Sequence, residues 1–388
     1  MDMSTDSKKV VIHIGGHKTG TTSLQRFCAH NKDALLEQGI YYPDNTSERS
    51  KLGSYGRNKF VNGFILTNKY YDGEQLDHIL AEYQSNARVN TLFLSEENIF
   101  FNRLQEHMLN QEASTRLQQH NTHVVITLRR AVEYLCGVWQ ESVRFQCDTG
   151  LHGFLDRYRY EISLDYINQL AEIFGKDKVH ILVYNQQESA EYDAVDHMME
   201  FLGLVNHGLS PPDPFRLNTS IKRETLDNMC TLNKYIPKAS YHSYQDYLPI
   251  TNDMSTLESL GDKKIKQVSD RFYQAESDIA QNYLGQGYLY ANRYPSIYKQ
   301  ARKSYKPDHS SIKKAMMRIV IREGFLDTYF KNRNPINITI AYVYSSLPAN
   351  VAMKFKYSLR RLQKSANEGH YISKFIFKII NRLTESVD

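Results

Sequence analysis

Only one tryptophan and four cysteines occur in 388 residues. The cysteines, Cys28, Cys136, Cys147 and Cys230, are scattered, with no Cys-x-x-Cys pair and no histidine nearby at metal-ligand spacing. That pattern argues against a zinc centre and a disulfide framework. No uninterrupted run of eighteen apolar residues is present, and residues 1–9 are polar ahead of a strand-length apolar run at 10–14. Neither a membrane span nor a secretory leader is expected, and the default compartment is the cytosol. Internal repeats and low-complexity tracts are lacking as well. Tyrosine is abundant, at 28 residues, but an amphipathic ring that fills cores and surfaces does not by itself indicate a ligand.

What is present is ordinary globular material. Apolar residues make up 41% and charged residues 23%, enough to bury a sizeable core. The length exceeds one typical domain, which predicts a large α/β domain with an appendage. The net charge of +5 is unevenly spread. From residue 296 onward there are 18 Lys and Arg against 6 Asp and Glu, while residues 1–295 hold 30 against 37. The basic character therefore belongs to the C-terminal quarter, and no nucleic-acid partner is expected.

Strand-like and helix-like stretches alternate along the first half. Residues 9–14 read as a buried strand, 23–36 as a helix, 39–43 as a short strand stopped by Pro43, and 44–72 as a long functional loop. A helix near 74–87 leads to a strand at 91–94, another helix to a strand at 123–128, and a third helix covers about 131–145. A strand at 178–184 precedes a helix at 191–203, and helices follow near 222–235 and 263–284. This alternation predicts an α/β fold, a parallel sheet covered by helices on both faces. Composition shifts after Arg293-Tyr294-Pro295, so 1–292 is expected to be the α/β domain and 293–388 a basic amphipathic helical extension.

The first strand runs into Gly15-Gly16-His17-Lys18-Thr19-Gly20-Thr21-Thr22-Ser23, the strand, loop and helix start that a phosphate cradle needs. Glycines let backbone N–H groups converge on an anion, and a helix N-terminus adds unpaired donors and partial positive charge. The hydroxyls of Thr19, Thr21, Thr22 and Ser23 are expected as further donors. A triphosphate-binding loop reads GxxxxGK followed by Ser or Thr. Gly15 and Gly20 have that spacing, but position 21 is threonine and the lysine stands at 18, ahead of the second glycine. That placement suits a shorter ligand with one bridging oxygen to neutralise.

On these residues the chain resembles the sulfotransferases that use 3′-phosphoadenosine 5′-phosphosulfate (PAPS), with a P-loop-type sheet. It is most similar to their bacterial, carbohydrate-directed branch, including Ser23-Leu24-Gln25 and Gly39-Ile40. The resemblance spans roughly residues 9–285. It implies that Gly16, His17, Lys18, Thr19, Gly20, Thr21, Thr22 and Ser23 hold the 5′-phosphosulfate. Arg129, closing the strand Val124-Val125-Ile126-Thr127-Leu128, matches the family's 3′-phosphate anchor, as a guanidinium suits bidentate phosphate contact. The serine that the family carries eight residues later is Gly137 here, and Ser142 or a backbone N–H is the expected substitute. Arg130 reads as either a second anchor or a plain surface charge.

The family also places a Ser-x-Glu segment beside the donor, matched by Ser95-Glu96-Glu97-Asn98. A carboxylate at a strand's carboxyl end can accept an acceptor hydroxyl's proton. Glu97 fits the register better, Glu96 is second, and His17 is a third candidate. Starting the next helix is the other reading of both glutamates. His13 alternates with apolar strand positions and reads as a core histidine. Further on, Arg216-Leu217-Asn218-Thr219-Ser220 resembles a segment that closes over the site, with Lys222 and Arg223 either contacting an anion or solvated.

In the basic quarter, residues 311–330 and 371–383 carry apolar residues on one face and Lys and Arg on the other. Such a helix packs on its own domain, lies on an anionic membrane or holds an acidic polymer. The combined expectation is a cytoplasmic enzyme, peripheral at the inner membrane face if the extension binds lipid. It would transfer a sulfuryl group from PAPS, without a metal, to a hydroxyl acceptor, a sugar of a cell-surface glycan or glycolipid. The alternatives are a P-loop kinase acting on a small molecule and a non-catalytic, membrane-associated nucleotide-binding protein.

Overall fold

Runs such as Val10-Val11-Ile12 and Val124-Val125-Ile126 leave no polar face, and such strands are stable only where both faces of their sheet are covered. The computed structural model describes residues 8–16, 18–44, 61–97, 99, 108–145, 147–158, 163–184, 194–204, 208–212, 221, 223–233 and 255–295. His17, the 45–60 part of the long loop, 216–220, Lys222 and the basic segments 311–330 and 371–383 lie outside these residues. Five parallel strands form one sheet in the order β2-β3-β1-β4-β5. They are β1 (Lys9–Gly15), β2 (Ile40–Tyr41), β3 (Thr91–Ser95), β4 (Asn121–Arg129) and β5 (Val179–Tyr184). The expected α/β class is observed, as a parallel sheet flanked by helices and consistent with a P-loop fold.

The helices are α1 (Thr21–His30), α2 (Lys32–Glu37), α3 (Gly73–Ser85), α4 (Gln111–Leu117), α5 (Ala131–Arg144), α6 (Leu151–Arg157), α7 (Leu164–Phe174), α8 (Ala194–Phe201), α9 (Arg223–Asn233) and α10 (Asp262–Leu284). On one face of the sheet, Leu24, Phe27 and Cys28 of α1 join Val195, Met198 and Met199 of α8 over Val11, Phe93 and Val125. Each such side chain contributes roughly 1.5–3 kcal/mol on burial. Alternation sends Val10, Ile12 and Ile14 to the other face, where they are equally buried, and α7 packs on β4 and β5.

Two details differ from the sequence reading. The stretch 23–36 is two helices, not one. At the break, Asn31 Nδ2 donates to the carbonyls of Phe27 and Ser210, both at 2.9 Å, and Oδ1 accepts from Ser210 N–H at 3.3 Å. A side-chain amide that competes for backbone groups in this way ends a helix. The 44–72 loop is regular near its end, where Gly63–Leu66 forms a 3₁₀ turn. Asn62 anchors that turn, donating to Phe93 O at 2.9 Å and accepting from Ser95 N–H at 2.8 Å.

The chain divides into two compact units. The first comprises Met1–Trp139, Leu151–Ser220 and Ser255–Lys303 and contains the whole sheet. Within it, Arg130 Nη1 donates to Asn292 O at 2.5 Å, and Tyr288 donates to Glu276 at 2.7 Å. The second unit takes in Gln140–Gly150 and Ile221–Met254. There Asn233 Nδ2 donates to the carbonyls of Val143 and Cys147, at 2.6 and 2.9 Å. Arg223 pairs with Asp227 one helical turn away, at 2.8 Å.

Candidate functional site

In a sheet of this order, ligands bind beyond the carboxyl ends of the strands, where chain connections diverge to either side. Here the diverging neighbours are β3 and β4 on either side of β1. Among the described residues, Lys18, Glu97 and Arg129, singled out from sequence, lie at these three strand ends.

The loop after β1 is folded against β4 by Gly16 N–H, which donates to Thr127 O at 3.2 Å. Thr19 closes it, donating from N–H and from Oγ1 to Gly16 O at 3.3 and 2.6 Å. Two residues are left-handed: Gly20 (φ 87°) and Lys18 (φ 67°), the one non-glycine with positive φ among the described residues. A lysine in that conformation carries a strain of roughly 1–2 kcal/mol. Helix α1 begins with Leu24 N–H donating to Gly20 O at 3.0 Å, and no side chain caps it. The N–H groups of Thr21, Thr22 and Ser23 therefore have no partner within the helix, the donor set that an anion takes up.

Not all the expected hydroxyl donors face outward. Thr19 spends its hydroxyl proton on Gly16 O, and Thr21 donates to Glu97 Oε2 at 2.5 Å. Both side chains are buried, and Thr19 N–H also goes to Gly16 O, so of the two it is Thr21 that offers an anion its backbone N–H, while Thr22 and Ser23 remain half-exposed. The position that holds lysine in a triphosphate loop thus holds an inward-turned threonine.

Lys18 is held by two neighbours. Arg129 Nη1 donates to Lys18 O at 2.7 Å, bracing the left-handed residue. Gly137 on α5 receives its stem, since a Cβ there would lie 2.8 Å from Lys18 Cγ and 3.0 Å from Lys18 Cβ. The glycine in place of the expected serine is therefore a clearance for Lys18. Ser142 belongs to the second unit, where its carbonyl accepts from Cys147 N–H at 2.8 Å.

Arg129 is itself fixed by Glu133, with Nε at 3.3 Å from Oε2, and stacks 5.3 Å from the Tyr184 ring centroid. Arg130 is not a surface charge. Its side chain is 2% exposed and lies 3.5 Å from Glu133 Oε1, with the guanidinium 4.4 Å from the Tyr290 ring centroid. Position 130 follows the strand end and faces the opposite way from 129, which turns it into the protein.

The two carboxylates separate clearly. Glu96 is buried beside the 3₁₀ turn: a Cβ on Gly63 would meet its Cβ at 3.1 Å. Glu97 is half-exposed, and its carboxylate reaches the start of α1 through Thr21. The structure brings Glu97, not Glu96, to the loop. His13 is a satisfied core histidine, with Nδ1 3.0 Å from Ser95 Oγ and Nε2 3.0 Å from Thr127 Oγ1. Burial depresses its pKa to about 4, opposed by the charge of Glu97. It thus ties β3 and β4 to β1 as a neutral ring.

Sequence reasoning did not find the Thr21–Glu97 bond, the fit of Lys18 on Gly137, or Glu133. Only Glu133 left a signal, its spacing of four residues from Arg129 on a helix.

No protein-family model matches the chain, and no curated protein matches it. Among solved structures, a crystal structure of a sulfotransferase from Alicyclobacillus acidocaldarius is similar at a TM-score of 0.31 and 14% identity. The match covers 57% of this chain and 90% of that one. Overlap of this size does not by itself argue for a shared activity.

Proposed function

We propose that this chain is a sulfotransferase that takes PAPS as donor and a hydroxyl, that of a sugar in a cell-surface glycan or glycolipid, as acceptor. The observation that carries the reading is the arrangement of Lys18 and Thr21. Lys18 stands ahead of Gly20 in a left-handed conformation braced by Arg129 and cleared by Gly137. Thr21, at the place of a triphosphate loop's lysine, is turned inward to Glu97. The fit of a phosphosulfate rests on this cradle: an uncapped helix start, a glycine joint with no room for a side chain, and cations in the loop after β1 and at the end of β4. A Cβ at Gly20 would come within 2.9 Å of the Ala194 Cβ.

When bound, the donor supplies the sulfuryl group. The N–H groups of Gly20, Thr21 and Thr22 bind the 5′-phosphate, with Gly16, His17, Thr19 and Ser23 completing the loop. Lys18 neutralises charge on the bridging oxygen, the kind of placed electrostatic donor that lowers a barrier most. Arg129 holds the 3′-phosphate from the carboxyl end of β4, where a guanidinium suits phosphate contact. Glu97 takes the acceptor's proton, at the strand end where such a base is reachable. A sugar acceptor is supported by the Tyr-, Asn- and Gly-rich stretch 44–72 and by the sequence resemblance described above. The basic extension is proposed to bring the enzyme to an anionic inner membrane surface where lipid-linked acceptors lie.

Calorimetry tests the reading. 3′-Phosphoadenosine 5′-phosphate is expected to bind without added metal and more tightly than ATP with magnesium. The reverse order would replace the reading with a P-loop kinase, and binding of neither would favour a non-catalytic protein. Lys18→Ala is expected to lower sulfuryl transfer from labelled donor by roughly 10²–10³-fold, and full activity in that variant would remove the role of Lys18.

A further inference from the structure

Thr21 occupies a crossing between two parts of the site. Its backbone begins α1, and its hydroxyl donates to Glu97 Oε2 at 2.5 Å on the far side of β1. The side chain is 3% exposed. Its methyl lies against the backbone of Gly15, so close that a Cβ at position 15 would overlap Thr21 Cγ2. A β-branched side chain has few χ1 choices, and here the methyl's seat on Gly15 fixes which way the hydroxyl points. Threonine therefore does two things at once: it locks the rotamer and aims the O–H at one carboxylate oxygen.

We propose that Thr21 is a positioning residue for Glu97, holding that carboxylate ionised and directed at the donor loop. The inference rests on the reading of Glu97 as the proton acceptor and extends it to the residue that sets its state. A hydrogen bond to the charged form of an acid favours ionisation, and a base must be ionised before it can accept a proton. Because the same residue supplies a first-turn N–H of α1, the loop that holds the donor and the group that activates the acceptor share one rigid link. Among the described residues, the titratable side chains on the elements around Glu97 are His13 of β1, Lys18 of the loop, Arg129 at the end of β4, and Glu96 beside it. α1 contributes neutral Thr21 and Gln25 on that side, Gln25 Nε2 donating to Ser95 Oγ at 3.2 Å.

The test needs no substrate. The ionisation midpoint of Glu97 is read from the carboxylate band in infrared titrations of the full chain, with Glu97→Gln subtracted to isolate it. Thr21→Val, which keeps the branched shape and removes the hydroxyl, is expected to raise the midpoint by about one pH unit. Thr21→Ser, which keeps the hydroxyl without the methyl lock, should restore most of it, a recovery that a purely structural role would not produce. An unchanged midpoint in Thr21→Val, or a Thr21→Ser titration identical to that of Thr21→Val, overturns the proposal. If Thr21→Val does not fold, Thr21→Cys, a weak donor of similar size, takes its place with the same expected direction. Calorimetry of the wild-type chain with 3′-phosphoadenosine 5′-phosphate separates the two layers. Binding without a Thr21 effect sinks only this inference, whereas a Thr21 effect without binding sinks the sulfotransferase reading.

Discussion

A Cβ at position 137 would come within 2.8 Å of Lys18 Cγ, and the crowded atoms belong to the near end of the stem, which cannot swing clear. A glycine within a helix costs up to about 1 kcal/mol relative to alanine. Here the cost leaves room for a lysine that must hold a strained backbone and reach the loop mouth. Gly137→Ala and Gly137→Ser are therefore expected to lower thermal stability despite their better helix propensity, because the new Cβ displaces Lys18, and to reduce sulfuryl transfer by roughly 10–100-fold, the scale of a small misplacement. Serine at 137, which on sequence resemblance should add a phosphate contact, is expected to do harm. Tighter binding of 3′-phosphoadenosine 5′-phosphate by Gly137→Ser in calorimetry would show that Lys18 does not need the space.

Among the elements, the joint between β1 and α1 is the least tolerant. Gly20 has φ 87°, and a Cβ there would lie 2.9 Å from the Ala194 Cβ of α8, so it answers both a backbone and a packing demand. Gly20→Ala is expected to cost at least about 1–2 kcal/mol in urea unfolding and to weaken anion binding, because the first N–H groups of α1 turn with it. Unchanged anion affinity in that variant would mean that the helix start is not the cradle. This joint is legible in the amino-acid sequence, since a buried strand, a Gly/Thr loop and an apolar helical face follow one another along the chain. Central strands are legible for the same reason, their apolar runs being local. The split at Asn31 is not, because the break depends on Ser210, which is remote in sequence. The pairings Thr21–Glu97 and Lys18–Gly137 likewise join residues from different elements. Spacing identifies the members of the site, but only the parallel packing of β3, β1 and β4 sets which carboxylate faces the loop and which arginine turns inward.

At the scale of the whole molecule, stability should depend on pH through groups titrating in opposite senses. Burial holds His13 at about 4, and burial with the nearby Lys178 charge holds His123 at about 4, where its ring stacks on His180 at 5.1 Å. Their ordinary value is 6.5, so between pH 6.5 and 4 the unfolded chain takes up more protons and stability is lost as pH falls. Glu276 acts the other way. Buried at the start of α5, it accepts from Ala131 N–H at 2.9 Å and from Tyr288 at 2.7 Å. Burial raises its pKa from 4.5 to about 7. Between those values the folded chain holds the extra proton, so this contribution is full below pH 4.5 and lost as pH rises to 7. Two histidines oppose one carboxyl, so the wild-type chain should lose stability on acidification below pH 6.5 and vary little above pH 7. Glu276→Gln keeps an acceptor for Ala131 N–H and cannot ionise. Relative to wild type it should gain stability across pH 4.5–7, by up to ~3 kcal/mol at the upper end if each pKa unit counts about 1.4 kcal/mol. Urea unfolding at pH 4.5, 5.5, 6.5 and 8 measures the difference, and a gap independent of pH would mean that Glu276 is ionised throughout and is carried as a buried ion pair with Arg130.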